Sequence, residues 1–193
     1  MYSLKIIIAS TRPGRKGPSI GRWVYDRALL QNDFETGLID LAEVNLPIMD
    51  EPNHPRFMNY QHEHTKKWSK LIESTDAFII VTPEYNFSFP ASVKNAIDYL
   101  YHEWSYKPVA LVSYGGVAAG TRAVQMLKQV LTTLKMMPMV ESVNIPFFMK
   151  FIDENEKFNA EEGLIKSADE MIRELLLWTI GLKSIREMKL QKA

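Results

Sequence analysis

Three short stretches of this chain combine hydroxyl, basic, aromatic and glycine residues in patterns that could hold a ligand. The first is Ser10-Thr11-Arg12-Pro13-Gly14-Arg15-Lys16-Gly17-Pro18-Ser19-Ile20. Hydroxyls at Ser10, Thr11 and Ser19 can donate to phosphate oxygens, and Arg12 can add positive charge. The Gly-Lys-Ser/Thr ending of a Walker A loop is missing, and so is a G-x-G-x-x-G turn. The stretch is therefore an anion site of another kind, or a basic surface turn with an ordinary helix cap. The second is Thr82-Pro83-Glu84-Tyr85-Asn86-Phe87-Ser88-Phe89-Pro90. Two prolines stiffen it, and its aromatic faces and polar groups suit a flat heteroaromatic ring. Its alternative is that Tyr85, Phe87 and Phe89 cap the core or fill a subunit interface. The third, Ser113-Tyr114-Gly115-Gly116-Val117-Ala118-Ala119-Gly120, is either a backbone that approaches a ligand closely or a tight turn.

The surrounding pattern puts all three stretches at one edge of one sheet. Each follows a short, nearly continuous apolar run: Leu4 to Ser10, Ala77 to Thr82 and Pro108 to Ser113. Such runs predict strands covered on both faces, as in a parallel sheet. Further strands are expected from Phe34 to Leu41 and within Met139 to Ile145. Helical spacing appears at Ile20, Val24 and Ala28, at Trp68, Leu71 and Ile72, and at Val93, Ala96, Ile97 and Leu100. It returns at Ala123, Leu127, Leu131 and Leu134, and again from Leu164 to Leu176. Alternating strands and helices imply right-handed parallel crossovers. The expected fold is a three-layer, doubly wound, five-stranded α/β domain spanning 1–193, with two helices on one face and three on the other. Its ligand crevice would lie beyond the carboxyl ends of the strands.

Composition narrows the chemistry. The chain has 193 residues, no cysteine, and 23 basic against 23 acidic side chains. Disulfides, thiolate-held zinc, iron–sulfur clusters and a thiol nucleophile are excluded together. The charge balance gives no reason to expect nucleic acid or an anionic membrane as partner. No apolar run is long enough to span a bilayer and no signal-peptide pattern opens the chain, so a cytoplasmic protein is expected. His62-Glu63-His64 lacks a zinc-protease spacing and is not expected to bind metal. There is no Gly-x-Ser-x-Gly elbow, which argues against an esterase. Lys94 and Asp98 read as a helical i,i+4 ion pair. Trp68, Trp104 and Trp178 read as packing or interface residues, and Lys183 to Lys192 as a solvated basic face.

Ser10-x-Arg12, Thr82-Pro83-Glu84-Tyr85-Asn86 with Lys94-Asn95-Ala96-Ile97-Asp98, and Ser113-Tyr114-Gly115-Gly116 together resemble the NADPH-dependent FMN reductases. That family includes quinone reductases and azoreductases of the flavodoxin-like fold. The resemblance implies that Ser10, Arg12, Ser19 and the amide of Ile20 hold the FMN phosphate. It implies that Pro83, Glu84, Tyr85 and Asn86 line the isoalloxazine and ribityl chain, largely through backbone atoms. Ser113, Tyr114, Gly115 and Gly116 would meet the pyrimidine edge of the ring. The turn between Arg12 and Ser19 is longer and more basic than in many relatives, so Arg15 or Lys16 could replace Ser19 or meet an NADPH phosphate.

The implied activity is hydride passage from NADPH or NADH through FMN to a small-molecule acceptor, with no dedicated catalytic side chain. The implied assembly is a homodimer or homotetramer. Two other readings use the same cofactor, a flavodoxin-type electron carrier and a flavin-based redox sensor. Flavodoxins tend to be strongly acidic, and this chain is neutral. A flavin-free nucleotide binder is a third alternative.

Overall fold

The computed structural model describes residues 1–191. Its sheet contains β1 (Tyr2–Ile8), β2 (Phe34–Asp40), β3 (Ala77–Pro83), β4 (Pro108–Tyr114) and β5 (Met137–Ile145). The order across the sheet is β2-β1-β3-β4-β5, and every neighbouring pair is parallel. This is the flavodoxin-like doubly wound order. All seven residues of β3 and of β4 are buried, as their apolar runs require.

Helices α1 (Gly17–Leu29), α2 (Leu41–Val44), α3 (Glu63–Glu73), α4 (Ala91–Asp98), α5 (Thr121–Thr133) and α6 (Glu162–Leu190) connect or flank the strands. On one face, Ile20, Val24 and Ala28 of α1 pack with Ala168, Met171, Ile172 and Leu175 of α6. On the other, α3, α4 and α5 contribute Trp68 and Ile72, Val93 and Ile97, and Leu127 and Leu131. The division of two major helices against three is as expected. The one-turn α2 is additional. Asp40 caps it by accepting the Ala42 amide at 3.0 Å, and Asn45 ends it with φ 48°. Four residues are too few to display a period.

Trp68 and Trp104 are fully buried, and each indole N–H finds a carbonyl of α4, Ala96 at 2.8 Å and Ile97 at 3.1 Å. They pack as expected. Trp178 lies outside the core, on α6 with 41% of its surface exposed, which leaves the interface alternative for it. The end of α6 departs from a plain solvated face. Arg186 bonds Asp76 at 2.7 Å and the Tyr106 carbonyl at 2.7 Å, and Lys183 reaches Asp76 at 3.3 Å. Lys192 lies outside the described residues.

At the amino edge of the sheet, Lys107 is 4% exposed and donates to the carbonyls of Ile72 and Glu73 at 2.7 and 2.9 Å. It thereby caps the end of α3. Burial pushes its pKa down to about 7, with the Arg186 charge adding to the shift. An unfolded lysine titrates near ~10.4. Between these values the unfolded chain holds the extra proton, so this group makes folding more favourable as pH rises. We predict that the stability difference between wild type and Lys107→Met, from urea unfolding, grows in favour of wild type from about pH 7 towards 10. A difference that stays flat across that window would contradict the buried-amine assignment.

Candidate functional site

Strand β1 lies between β2 and β3, so the chain leaves it in one direction and returns past it to reach β3. The connections after β1 and β3 run to opposite sides at this point, the place where doubly wound sheets form their ligand crevice. The turn after β1 ends at the first residue of α1. Gly17 and Pro18 open that helix, and no side chain caps its amides. First-turn amides have no intrahelical acceptor, and the helix dipole adds partial positive charge there. Ser10 is 1% exposed, and its hydroxyl is buried without a hydrogen-bond partner. A Cβ on Gly17 would come within 2.2 Å of that oxygen and 2.9 Å of the Tyr114 hydroxyl, which also lacks a partner. Two orphaned hydroxyls beside uncapped helical amides form a donor set with no acceptor of its own. That chemistry fits a phosphate.

The remaining members of the turn separate by what they touch. Arg15 holds Asp40 through two bonds of 2.7 and 2.8 Å and also donates to the Ser10 carbonyl at 2.9 Å. Lys16 reaches Glu156 at 2.5 Å. Both cations are spent on fastening the turn, to β2 and to the loop before α6. Neither points at the uncapped end of α1 as a spare charge, since each already has a carboxylate partner. Arg12 is exposed, and no carboxylate pairs with it among the described residues. Ser19 is half-buried in the first turn of α1, where its hydroxyl and amide remain candidates. The Ile20 amide already donates to the Lys16 carbonyl, although at a long 3.4 Å.

The stretch after β3 is a two-residue hairpin. Tyr85 and Ser88 exchange backbone bonds of 2.8 and 3.0 Å, while Asn86 and Phe87 adopt φ of 48° and 68°. Two successive positive φ values mark a type I′ turn, which Asn accepts readily. A bulky aromatic residue does not, and such a conformation costs about 1–3 kcal/mol. Phe87 is held there by Arg122, whose guanidinium carbon lies 3.7 Å from the ring centroid. Arg122 is held in turn by Glu84, with Nε donating to Oε1 at 2.6 Å and its amide to Oε2 at 3.2 Å. The Arg122 guanidinium keeps the Glu84 carboxyl below the usual range. Sequence reasoning missed this clamp because its partners are 38 residues apart. Phe87 is 66% exposed and so does not cap the core, whereas Phe89 packs against the core. Pro83 is buried, Glu84 and Tyr85 are half-buried, and Asn86 is exposed at the tip. The guanidinium of Arg12 lies 5.9 Å from the Tyr85 ring centroid, which places the first turn beside the hairpin.

The third loop folds mostly onto itself. Ser113 donates to the Ala119 carbonyl at 2.8 Å, so its hydroxyl serves the loop. Gly115 is half-buried and Gly116 exposed, and their carbonyls accept the amides of Phe148 and Phe147. The Tyr114 side chain turns inward from this loop. It is 3% exposed, packs at 5.0 Å against Phe148, and carries its hydroxyl to Gly17. The three stretches thus share one edge, and the residues placed next to one another are Ser10, Arg12, Gly17, Tyr85 and Tyr114.

The other motifs resolve as structural features. Lys94 and Asp98 pair at 2.5 Å. His62 precedes α3. Its ring stacks on His64 at 5.2 Å and 10°, and His64 bonds Asp50 at 2.9 Å. Among the described residues no group of three potential ligands could hold a metal.

Gly120 has φ 79°, and a Cβ there would lie 2.9 Å from the amide and carbonyl of Tyr114. Backbone cannot move aside as a flexible side chain can. We predict that Gly120→Ala destabilises the fold by about 1–3 kcal/mol in urea unfolding. Unchanged stability would mean that the loop tolerates a different path.

Comparison with known proteins agrees with this geometry. The NADPH-dependent FMN reductase model matches residues 3–150. An NAD(P)H-dependent FMN reductase of Schizosaccharomyces pombe is 38% identical over 171 residues, covering 84% of each chain. Another, from Nectria sp, is 34% identical over 197 residues, 91% of this chain and 98% of that protein. Among solved structures, the flavoenzyme NAD(P)H:(acceptor) oxidoreductase of Paracoccus denitrificans superposes with a TM-score of 0.76 at 22% identity. It covers 94% of this chain and 98% of its own. With its strand order, the family match over residues 3–150 and these relatives, the chain belongs to the NADPH-dependent FMN reductase family.

Proposed function

We propose that this enzyme passes hydride from NADPH or NADH through FMN to a small acceptor such as a quinone, an azo compound or a free flavin. The observation that carries this reading is the orphaned Ser10 hydroxyl at the uncapped amino end of α1, at the divergence of β1 and β3. Ser10, Arg12, the hydroxyl and amide of Ser19 and, at longer range, the Ile20 amide would take the FMN phosphate. Pro83, Glu84, Tyr85 and Asn86 would line the ring and ribityl chain, and the backbone of Ser113, Tyr114, Gly115 and Gly116 would approach the ring edge. When bound, FMN supplies the two-electron exchange between the nicotinamide and the acceptor. The protein's part is to bind and orient. The Glu84–Arg122–Phe87 clamp keeps the hairpin rigid, and the prolines on either side limit its backbone freedom. No side chain is assigned as catalytic acid or base. With Arg15 and Lys16 engaged by carboxylates, we assign neither of them to a nicotinamide-nucleotide phosphate.

We further propose that copies associate as a homodimer or homotetramer. The exposed Leu177, Trp178 and Ile180 on α6 support self-association.

FMN added to the apoprotein should bind with quenching of flavin fluorescence, and anaerobic NADPH or NADH should then bleach the visible flavin band within the mixing time. With menadione as acceptor, double-reciprocal plots should be parallel, since donor and acceptor use one face in turn. Prompt FMN binding without bleaching by either nucleotide would favour an electron carrier. A protein that stays colourless with FMN would overturn the reading.

A further inference from the structure

We propose that Tyr114 is a phosphate ligand, its hydroxyl donating with that of Ser10 to the terminal phosphate of the flavin nucleotide. This rests on the reading of the β1–α1 turn as the phosphate site and assigns it a residue that the sequence pattern places elsewhere.

The argument begins with what the hydroxyl costs. Tyr114 is the last residue of β4, 3% exposed, and its ring packs edge-on against Phe148 within the core face covered by α1 and α6. A phenylalanine would fill the same space. The added oxygen is buried without a hydrogen-bond partner, and an unsatisfied buried hydroxyl is destabilising. It does not lie at random in the core. It faces the first residue of α1, where a Cβ on Gly17 would be 2.9 Å from it and 2.2 Å from the equally unpartnered Ser10 hydroxyl. Two strands and a helix therefore bring two spare donors to one point, and the point is the uncapped end of a 13-residue helix.

The surrounding charges agree with an anion at that point. Burial dominates and keeps the phenol protonated, while the nearby Ser10 hydroxyl and the charges of Arg15 and Arg12 act the other way. If the two hydroxyls turn towards each other, one O–H still remains to donate outward. A neutral phenol offers one O–H donor, which is what a phosphate oxygen accepts. Arg15 is already committed to Asp40, so the donors left for the anion are Arg12, the hydroxyls and the amides. The geometry also gives the enzyme a connection between its two subsites. The backbone of Tyr114 belongs to the loop expected at the ring, whereas its side chain ends at the phosphate.

The test separates the phosphate from the ring by comparing FMN with riboflavin, which lacks the phosphate. Fluorescence titration of the apoprotein should give an FMN Kd about tenfold higher for Tyr114→Phe than for wild type, with the riboflavin Kd unchanged. Ser10→Ala should show the same selective loss. Inorganic phosphate should raise the melting temperature of wild-type apoprotein more than that of Tyr114→Phe, a readout that needs no flavin. Equal weakening of FMN and riboflavin by Tyr114→Phe would return Tyr114 to the ring edge and overturn the proposal. So would unchanged affinity for both, which would make the hydroxyl structural. Should Tyr114→Phe fail to fold, absence of any phosphate-dependent stabilisation in wild type would reject the proposal. Wild type that binds FMN no more tightly than riboflavin would instead remove the phosphate site itself, and the functional reading with it.

Discussion

At Gly17 the chain has no room for a side chain, and the crowding there organises the carboxyl edge of the molecule. Its neighbours are the hydroxyl of Ser10 from the end of β1, the hydroxyl of Tyr114 from the end of β4, and Ile8. Helix α1 can begin this close to the sheet only because its first residue lacks a Cβ. The close start directs its free amides at the turn rather than at solvent. A bulkier residue would lift the helix away, separating the amides from the hydroxyls that accompany them. The donor set that we propose as the phosphate site depends on that close approach.

Ion pairs then decide which cations remain available. Five basic residues lie near the three loops, but they are not equivalent. Arg15 ties the turn to β2 through Asp40, Lys16 ties it to the loop before α6 through Glu156, and Arg122 ties α5 to the hairpin through Glu84. The same carboxylate of Asp40 also caps α2, so one acidic side chain fixes two neighbouring segments. Arg22 lies over Tyr25 on α1 itself. On the turn itself, Arg12 has no carboxylate partner among the described residues, and it lies beside Tyr85 at the junction of the turn and the hairpin. Net neutrality of the chain is thus compatible with a local excess of donors.

The hairpin shows the opposite economy, with strain concentrated where rigidity matters. Phe87 sits in a backbone region that favours glycine and presents most of its ring to solvent. A cation stacked on that ring and a carboxylate gripping that cation offset part of the cost. The outcome is a stiff wall between β3 and α4, facing the loop after β4. Such preorganisation reduces what a planar ligand must spend on ordering its site.

Much of this was legible in the residues alone. The uninterrupted apolar runs at Ile6–Ala9, Ala77–Val81 and Val109–Val112 identified doubly covered strands, because only a buried parallel sheet removes the alternation. The helical periods of Ile20, Val24 and Ala28 and of Leu164 to Leu175 identified the cover, and the three unusual loops then had to share an edge. Side-chain direction was not legible. Tyr114 reads as a loop residue beside two glycines, yet its ring turns into the core and its hydroxyl meets Gly17, almost a hundred positions earlier. Arg15 and Lys16 read as free charge until Asp40 and Glu156, 25 and 140 residues away, came to meet them. Local periodicity determines which elements form, since it depends on neighbours three, four or two residues apart. Which polar groups end up paired, and which stay open to a ligand, is decided by contacts between distant segments, and these exist only once the sheet has brought its loops together.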